Sequence, residues 1–219
     1  MRRVGLLCGF LVVTTTVSAG IEIGADGSIF MPKLTTRTYP ALTTTQATQF
    51  AGPLFNGYGH LTLPLTPSLQ MGVGLSLGFS PQTAQEYPAG ATKEELTITR
   101  FGADGRLQYD LTALFSPYIR LTLGKDWYYW KDNGITNGVH YEAESSAGGF
   151  FYAASLGVLF PLAADFALYV QGGYTASVNS AMTIRRFAVG GVNQAVAAPT
   201  VADTNYAGWL ASAGARLKF

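Results

Sequence analysis

Cysteine occurs once in this chain, at Cys8, and charged residues make up only 12% of it. Cys8 falls inside an N-terminal segment that reads as a cleaved signal, so the mature chain would carry no thiol. Disulfides, thiolate-bound metals and a cysteine nucleophile are thereby excluded. There is no run of Lys and Arg and no acidic tail, and the formal net charge of +1 speaks against a nucleic-acid partner. After Gly20 no window of about 18 consecutive apolar residues occurs, so no helix is expected to cross a membrane. Histidine is also scarce, with only His60 and His140.

The N-terminus stands apart. Met1-Arg2-Arg3 supplies a positive start, residues 4–13 an apolar core, and Val17-Ser18-Ala19 a small-residue cleavage site. That apolar run falls short of the roughly 20 residues a spanning helix needs. Residues 1–19 are read as a signal peptide and 20–219 as one domain. Leu7, before Cys8, is large where a lipoprotein signal carries a small residue.

The whole chain combines 48% hydrophobic residues with 26 glycines and 13% aromatics. What recurs in it is period two. Over residues 69–79, Leu69, Met71, Val73, Leu75, Leu77 and Phe79 alternate with Gln70, Gly72, Gly74, Ser76 and Gly78. Side chains alternate faces along a strand, so one face is wholly apolar and the other small or polar. Small residues on the second face suit the tight interior of a narrow barrel. The pattern returns in residues 21–30, 55–63, 100–111, 117–127, 150–160, 166–178 and 205–219, which makes about eight strands.

The connections segregate. Residues 64–68, 112–116 and 161–165 are short, whereas 31–54, 80–94, 131–147 and 179–204 are long, in strict alternation. A barrel with both termini in the periplasm predicts this order, with tight turns inside and longer loops outside. Trp127, Tyr129, Trp130, Phe150, Tyr152 and Trp209 lie toward the outer strand ends, and Phe115, Phe160, Phe166 and Phe219 toward the inner ends. Such rings mark membrane interfaces. The fold class is therefore all-β: a closed antiparallel transmembrane β-barrel.

The last strand carries Ser212-x-Gly214-x-x-Leu217-x-Phe219. With the signal peptide and the alternation, the sequence resembles the small eight-stranded outer-membrane barrels, the class that includes the OmpA transmembrane domain and OmpX. The resemblance implies a Gram-negative outer membrane, a monomer, contact with its lipids including lipopolysaccharide, and assembly by periplasmic chaperones and the barrel-assembly machinery. Ser212, Gly214, Leu217 and Phe219 would form the assembly signal, with Leu217 and Phe219 facing lipid.

The inward face collects Glu22, Asp26, Asp104, Asp110 and Asp126 against Arg100, Arg106, Arg120, Arg216 and Lys218. A lumen of eight strands is just wide enough for side chains to fill it. These ten residues are read as a salt-bridged plug under a rigid anchor for surface loops; a narrow ion or solute path is the alternative, since charged rings also line pores. No enzyme is expected. The lipid A deacylases of this barrel size carry a His-x-Ser pair, which neither histidine makes; His60 reads as a hydrogen-bonded interior residue and His140 as a solvated loop residue. No metal or cofactor motif occurs: Asp26-Gly27, Asp104-Gly105 and Gly148-Gly149 sit outside any phosphate-binding frame. The loops, with Asn133-Gly134, Asn137-Gly138 and an exposed Tyr141, are the other interaction surface, for an extracellular ligand that leaves no signature. Appending a few polar residues after Phe219 is expected to impair assembly. The check is the amount of heat-modifiable protein in the outer-membrane fraction, and normal insertion would count against the assembly signal.

Overall fold

The computed structural model describes residues 19–36, 46–84, 91–195 and 202–219. The expected signal, save Ala19, lies outside them. Eight long strands follow one another: β1 (Gly20–Thr36), β2 (Gln46–Pro64), β3 (Leu69–Ala84), β4 (Ala91–Tyr109), β5 (Ser116–Thr136), β6 (Val139–Pro161), β7 (Phe166–Val189) and β9 (Ala202–Lys218). A two-residue strand, β8 (Val192–Asn193), folds back on the end of β7. Each long strand pairs antiparallel with its sequence neighbours, β7 with β9, and β9 with β1. The eight long strands thus close into a ring, while β8 pairs with β7 alone.

The wall faces follow the alternation. Outward side chains such as Ile29, Leu77 and Leu156 are more than 60% exposed, whereas their neighbours Ser28, Ser76 and Ser155 are buried. Exposed Ile21, Val73, Leu75, Leu107, Ile119, Leu121, Leu123 and Val170 continue the belt around the barrel. A continuous apolar belt around the ring is suited to lipid rather than to water.

The strands run on well past the membrane. A tilted transmembrane strand needs roughly 9–11 residues, but β5, β6 and β7 have 21, 23 and 24. The long connections are consequently shorter than the sequence suggests. Residues 131–147, expected as a loop, are paired strand from Lys131↔Glu144 up to Thr136↔Val139. Asn137 and Gly138 form the turn, both with positive φ, 52° and 78°, as a two-residue hairpin connection demands. Above the membrane the outer face meets water instead of lipid, so the apolar alternation fades while the ladder persists. The other three expected loops are likewise trimmed, by strand reaching Thr36 and starting at Gln46, reaching Ala84 and starting at Ala91, and reaching Val189 and starting at Ala202.

Two further expectations are corrected. Trp130, placed among the interface aromatics by its depth, belongs by parity to the inward face of β5 and is buried. Tyr141 is half-buried, and its hydroxyl donates to Asp132 at 3.3 Å. The remaining outer aromatics do stand on the wall, where Tyr174 and Trp209 meet edge to face at 5.1 Å, and Phe115 and Phe160 do the same at the periplasmic end at 6.2 Å.

The ladder is interrupted where β1, β2 and β3 carry Pro32, Pro53 and Pro81, residues with no N–H to give. Pairing of β1 with β2 breaks between Phe30↔Gly52 and Lys33↔Gln49, and of β2 with β3 between Ala51↔Thr83 and Phe55↔Phe79. Side chains satisfy the stranded carbonyls: Gln49 donates to that of Pro32 at 3.2 Å, and Ser80 to that of Pro53 at 2.8 Å.

Inside, tyrosines lie across glycines. Tyr58, Tyr118 and Tyr169 stand opposite Gly24, Gly157 and Gly214 on the neighbouring strands. A Cβ at Gly24 would lie 2.3 Å from the Tyr58 ring, and one at Gly157 the same distance from Tyr118. The missing side chains are the space the rings occupy. Gly57, on the outer wall, has nothing within 4 Å of such a Cβ. Gly24→Ala is expected to destabilise by about 1–3 kcal/mol, the usual range for overpacking, and Gly57→Ala to be close to neutral. Urea unfolding of both variants in lipid vesicles is the check.

Candidate functional site in the barrel lumen

The periplasmic half of the lumen is ionic. Glu22 of β1 accepts from Arg106 of β4 at 2.7 Å and from Arg216 of β9 at 2.6 Å. Asp104 of β4 takes Arg120 of β5 at 2.8 Å and, on its other oxygen, His60 of β2 at 2.8 Å. Asp26 of β1 is reached by Asn56 at 2.8 Å, by Tyr169 at 3.0 Å and by Arg120 at 3.3 Å. Three carboxylates thus face three guanidiniums, all buried. His60 Nδ1 lies 3.9 Å from Glu22 without a hydrogen bond, so His60, bonded to Asp104, stands between the Glu22 and Asp104 groups. The tyrosine rings pack in the same layer: the Arg120 guanidinium stands 4.4 Å over Tyr58, and Tyr118 donates to Gln171 at 3.0 Å.

Six of the ten charged residues read from the sequence therefore meet: Glu22, Asp26, Asp104, Arg106, Arg120 and Arg216. The other four form no ion pair with them among the described residues, and Asp110 reaches Arg216 only through Gln108, which accepts from Arg216 at 2.9 Å. Asp110 sits at the periplasmic mouth and accepts from Gln70, Gln108 and Ser116 at 2.6–2.8 Å. Lys218 lines the same mouth, a recess of about 250 Å³, and forms no ion pair among the described residues. Asp126 accepts from the Tyr206 hydroxyl at 2.8 Å and the Gly149 amide at 3.2 Å. Arg100 is its ladder partner but lies in an aromatic cage, 4.9 Å from the Phe30 ring, 5.1 Å from Tyr206 and 5.2 Å from Phe151. Charge balance along the sequence could not distinguish a salt bridge from a ring-stacked guanidinium, because the cage comes from β1, β6 and β9.

Sequence reasoning missed the layer above. Phe30, Leu34, Phe50, Leu54, Ala84, Leu96, Ile98, Tyr128, Trp130, Met182, Tyr206 and Leu210 form one buried apolar cluster from seven strands. Leu34, Phe50, Leu54, Ala84 and Met182 lay in segments read as loop, and Leu96, Ile98, Tyr128 and Trp130 just beyond the segments read as strand, whereas Phe30, Tyr206 and Leu210 lay within the strands read as 21–30 and 205–219. A cavity of only about 10 Å³, the room of one water, lies beside it. The lumen is thus filled by an ionic layer below and an apolar layer above.

The assembly-signal residues sit on the closing seam. Ser212 is buried, Gly214 lies under the Tyr169 ring, and Leu217 and Phe219 point outward. Phe219 and Ile21 exchange both backbone hydrogen bonds, at 2.7 and 3.1 Å.

A ring of eight antiparallel strands with an apolar outer belt between aromatic girdles decides the architecture. The chain has the fold of the small outer-membrane β-barrels. Among solved structures of that kind, the outer membrane protein OprG from Pseudomonas aeruginosa is 12% identical, with 93% of this chain and 97% of that one covered at a TM-score of 0.54. Neisserial surface protein A is 15% identical over 91% and 97% of the two chains at 0.40. Ail, the attachment invasion locus protein of Yersinia pestis, is 13% identical over 89% and 98% at 0.39. No protein-family model matches the chain, and no curated protein does.

At the extracellular rim, above the girdle, two inward carboxylates stand opposite each other, Glu94↔Asp132. Glu94 is buried, faces Thr48 and Trp130, and one of its oxygens has no hydrogen-bond partner. Burial first, and then the charge of Asp132, push its carboxyl up to about 7; burial pushes Asp132 up to about 6. Both groups hold protons more tightly folded than unfolded. Their stabilisation is therefore fully present below the ordinary carboxylate range and is lost as pH rises through about 7. Amides of the β4–β5 rim are expected to show less hydrogen-exchange protection at pH 8 than at pH 5, after correction for intrinsic rates. In Glu94→Gln most of that difference should vanish; an unchanged difference would assign it elsewhere.

Proposed function

We propose that the protein is a plugged outer-membrane barrel, a non-catalytic anchor that holds a rigid extracellular rim for surface interaction. The observation that carries this reading is the double filling of the lumen. Glu22 and Leu159 in the lower layer, and Phe30, Leu54 and Ile98 in the upper, have no solvent exposure at all. An ion crossing the barrel would have to displace the ion pairs and also enter the apolar layer. Burial of a charge among such side chains without a partner costs several kcal/mol. A gate formed by one movable ion pair would leave the apolar layer in the way.

The rim supports the second half of the reading. β5 and β6 carry their hairpin to Thr136 and Val139, far above the girdle, and Lys131 and Arg186 lie near Glu144 at 3.9 and 4.0 Å on its outer face. Binding surfaces are commonly borne on such projections from a rigid scaffold. Delivery by periplasmic chaperones and the barrel-assembly machinery fits the outward Leu217 and Phe219.

The narrow channel is the second reading, favoured by the charge-balanced lower layer and the recess at the periplasmic mouth. Planar-bilayer recording separates the two. The refolded protein is expected to be silent, with folding established by heat-modifiable migration, and Arg106→Ala and Asp104→Ala to stay silent because the apolar layer remains. Discrete openings in the unsubstituted protein that change size or ion preference in either variant would overturn the plug.

A further inference from the structure

The outer wall of β4 to β7 has a feature the lumen reading does not use. Just above exposed Phe101, Leu123 and Phe150, the wall recedes into a concavity of about 440 Å³. It is lined by Thr97 and Thr99 of β4, Trp127 and Tyr129 of β5, Gly148 of β6 and Arg185 of β7. Trp127 lies against Gly148 of the neighbouring strand, its ring 3.4 Å from where a Cβ would stand, an ordinary contact distance. The floor is small and hydroxylated, and the sides are aromatic.

A β-bulge sets the charge. Ile184 pairs with Ser145 and Arg186 with Glu144, so Arg185 is the extra residue of β7. In a regular strand two consecutive side chains take opposite faces; the bulge turns both Arg185 and Arg186 outward. Arg186 lies 3.7 Å from Glu142. Arg185 instead donates through Nε to the Ser146 hydroxyl at 2.6 Å and has no carboxylate within ion-pair distance among the described residues. Its terminal nitrogens are held at the concavity by a neutral partner. Lys125, 5.7 Å from the Phe150 ring, stands outward one pair below Trp127 and likewise has no carboxylate partner among the described residues. Outward along β5 the order is Lys125, Trp127, Tyr129, Lys131, so cations bracket the girdle aromatics at this depth.

We propose that this concavity binds the phosphorylated sugar headgroup of an anionic glycolipid of the outer leaflet, with Arg185 and Lys125 taking phosphate. The hydroxyls of Thr97, Thr99 and Ser146 would face sugar, Trp127 would pack on its ring, and the acyl chains would run down the belt over Leu123 and Phe101. Arginine at such a site offers several N–H groups in a fork that matches phosphate. The proposal rests on the outer-membrane reading, which it narrows to a lipid class and a place on the wall.

The mature protein is refolded into phosphatidylcholine vesicles, with and without bis-phosphorylated lipid A, and the temperature at which the heat-modifiable form is lost is measured. Lipid A is expected to raise that temperature in the unsubstituted protein. The Arg185→Gln/Lys125→Gln variant should lose at least half of the rise, and Ser146→Ala, which frees Arg185, a smaller part. Dephosphorylated lipid A and inorganic phosphate should each give no rise. An undiminished rise in the double variant, or an equal rise with either control, overturns the site. Should the double variant not refold, Ser146→Ala and the dephosphorylated lipid decide. Failure of the unsubstituted protein to fold into any vesicle would instead defeat the membrane reading itself.

Discussion

In the hydrocarbon of a bilayer no water satisfies a backbone N–H or C=O, and a segment of strand there must find both partners in its own protein. Everything else in this molecule follows from that requirement. It forces β9 back onto β1, where Phe219 and Ile21 exchange hydrogen bonds at the seam. It also explains why, where the prolines interrupt the ladder, the Pro32 carbonyl is taken up by Gln49 and the Pro53 carbonyl by Ser80 and Gln82. Once the ring closes, period two leaves each side chain a choice of only two environments, lipid or lumen.

The ring of eight then dictates what the lumen holds. It is too narrow for bulk water and too wide to stay empty, so large side chains from several strands must cross it. Tyr58, Tyr118 and Tyr169 can do so only because Gly24, Gly157 and Gly214 vacate the space beside them on the neighbouring strands. Glycine here is half of a packing pair. The ionic layer obeys a stricter condition, since a buried carboxylate without a cation would cost several kcal/mol. Glu22, Asp26 and Asp104 each meet at least one guanidinium, and His60 stands between two of these groups.

How much of this was legible in the sequence depends on what the outer face touches. Where it touches lipid, as in residues 69–79, every second residue must be apolar, and both the strand and the facing of each side chain can be read directly. Above the girdle the outer face meets water, the contrast between faces disappears, and residues 131–147 read as a loop although their ladder is unbroken apart from Asn137 and Gly138. The apolar layer of the lumen was lost for the same reason, because Leu34, Phe50 and Leu96 lie in those stretches. Within the lumen the sequence identified inward charges but could not give their partners. Arg106 and Glu22 are 84 residues apart, and whether Arg100 would meet Asp126 or the rings of Phe30, Phe151 and Tyr206 is decided by strands that are remote in sequence.

The two layers differ in a way that bears on function. An ionic layer alone can rearrange, because a guanidinium can exchange one carboxylate for another at nearly constant charge balance, and Arg120 already contacts both Asp104 and Asp26. An apolar layer offers a passing ion no such exchange. Placing Phe30, Leu54 and Ile98 above the ion pairs therefore separates the lower network from the extracellular water and leaves the rim free to titrate and bind without disturbing it. The Glu94–Asp132 pair stands on the far side of that layer from Glu22 and Asp104. Its protonation can loosen or tighten the mouth while the membrane-embedded ring, held by closed ladders and a filled lumen, stays fixed. The proposed role, with rim and outer wall as the working surface, is consistent with this separation, whereas a conducting path would have to cross the apolar layer.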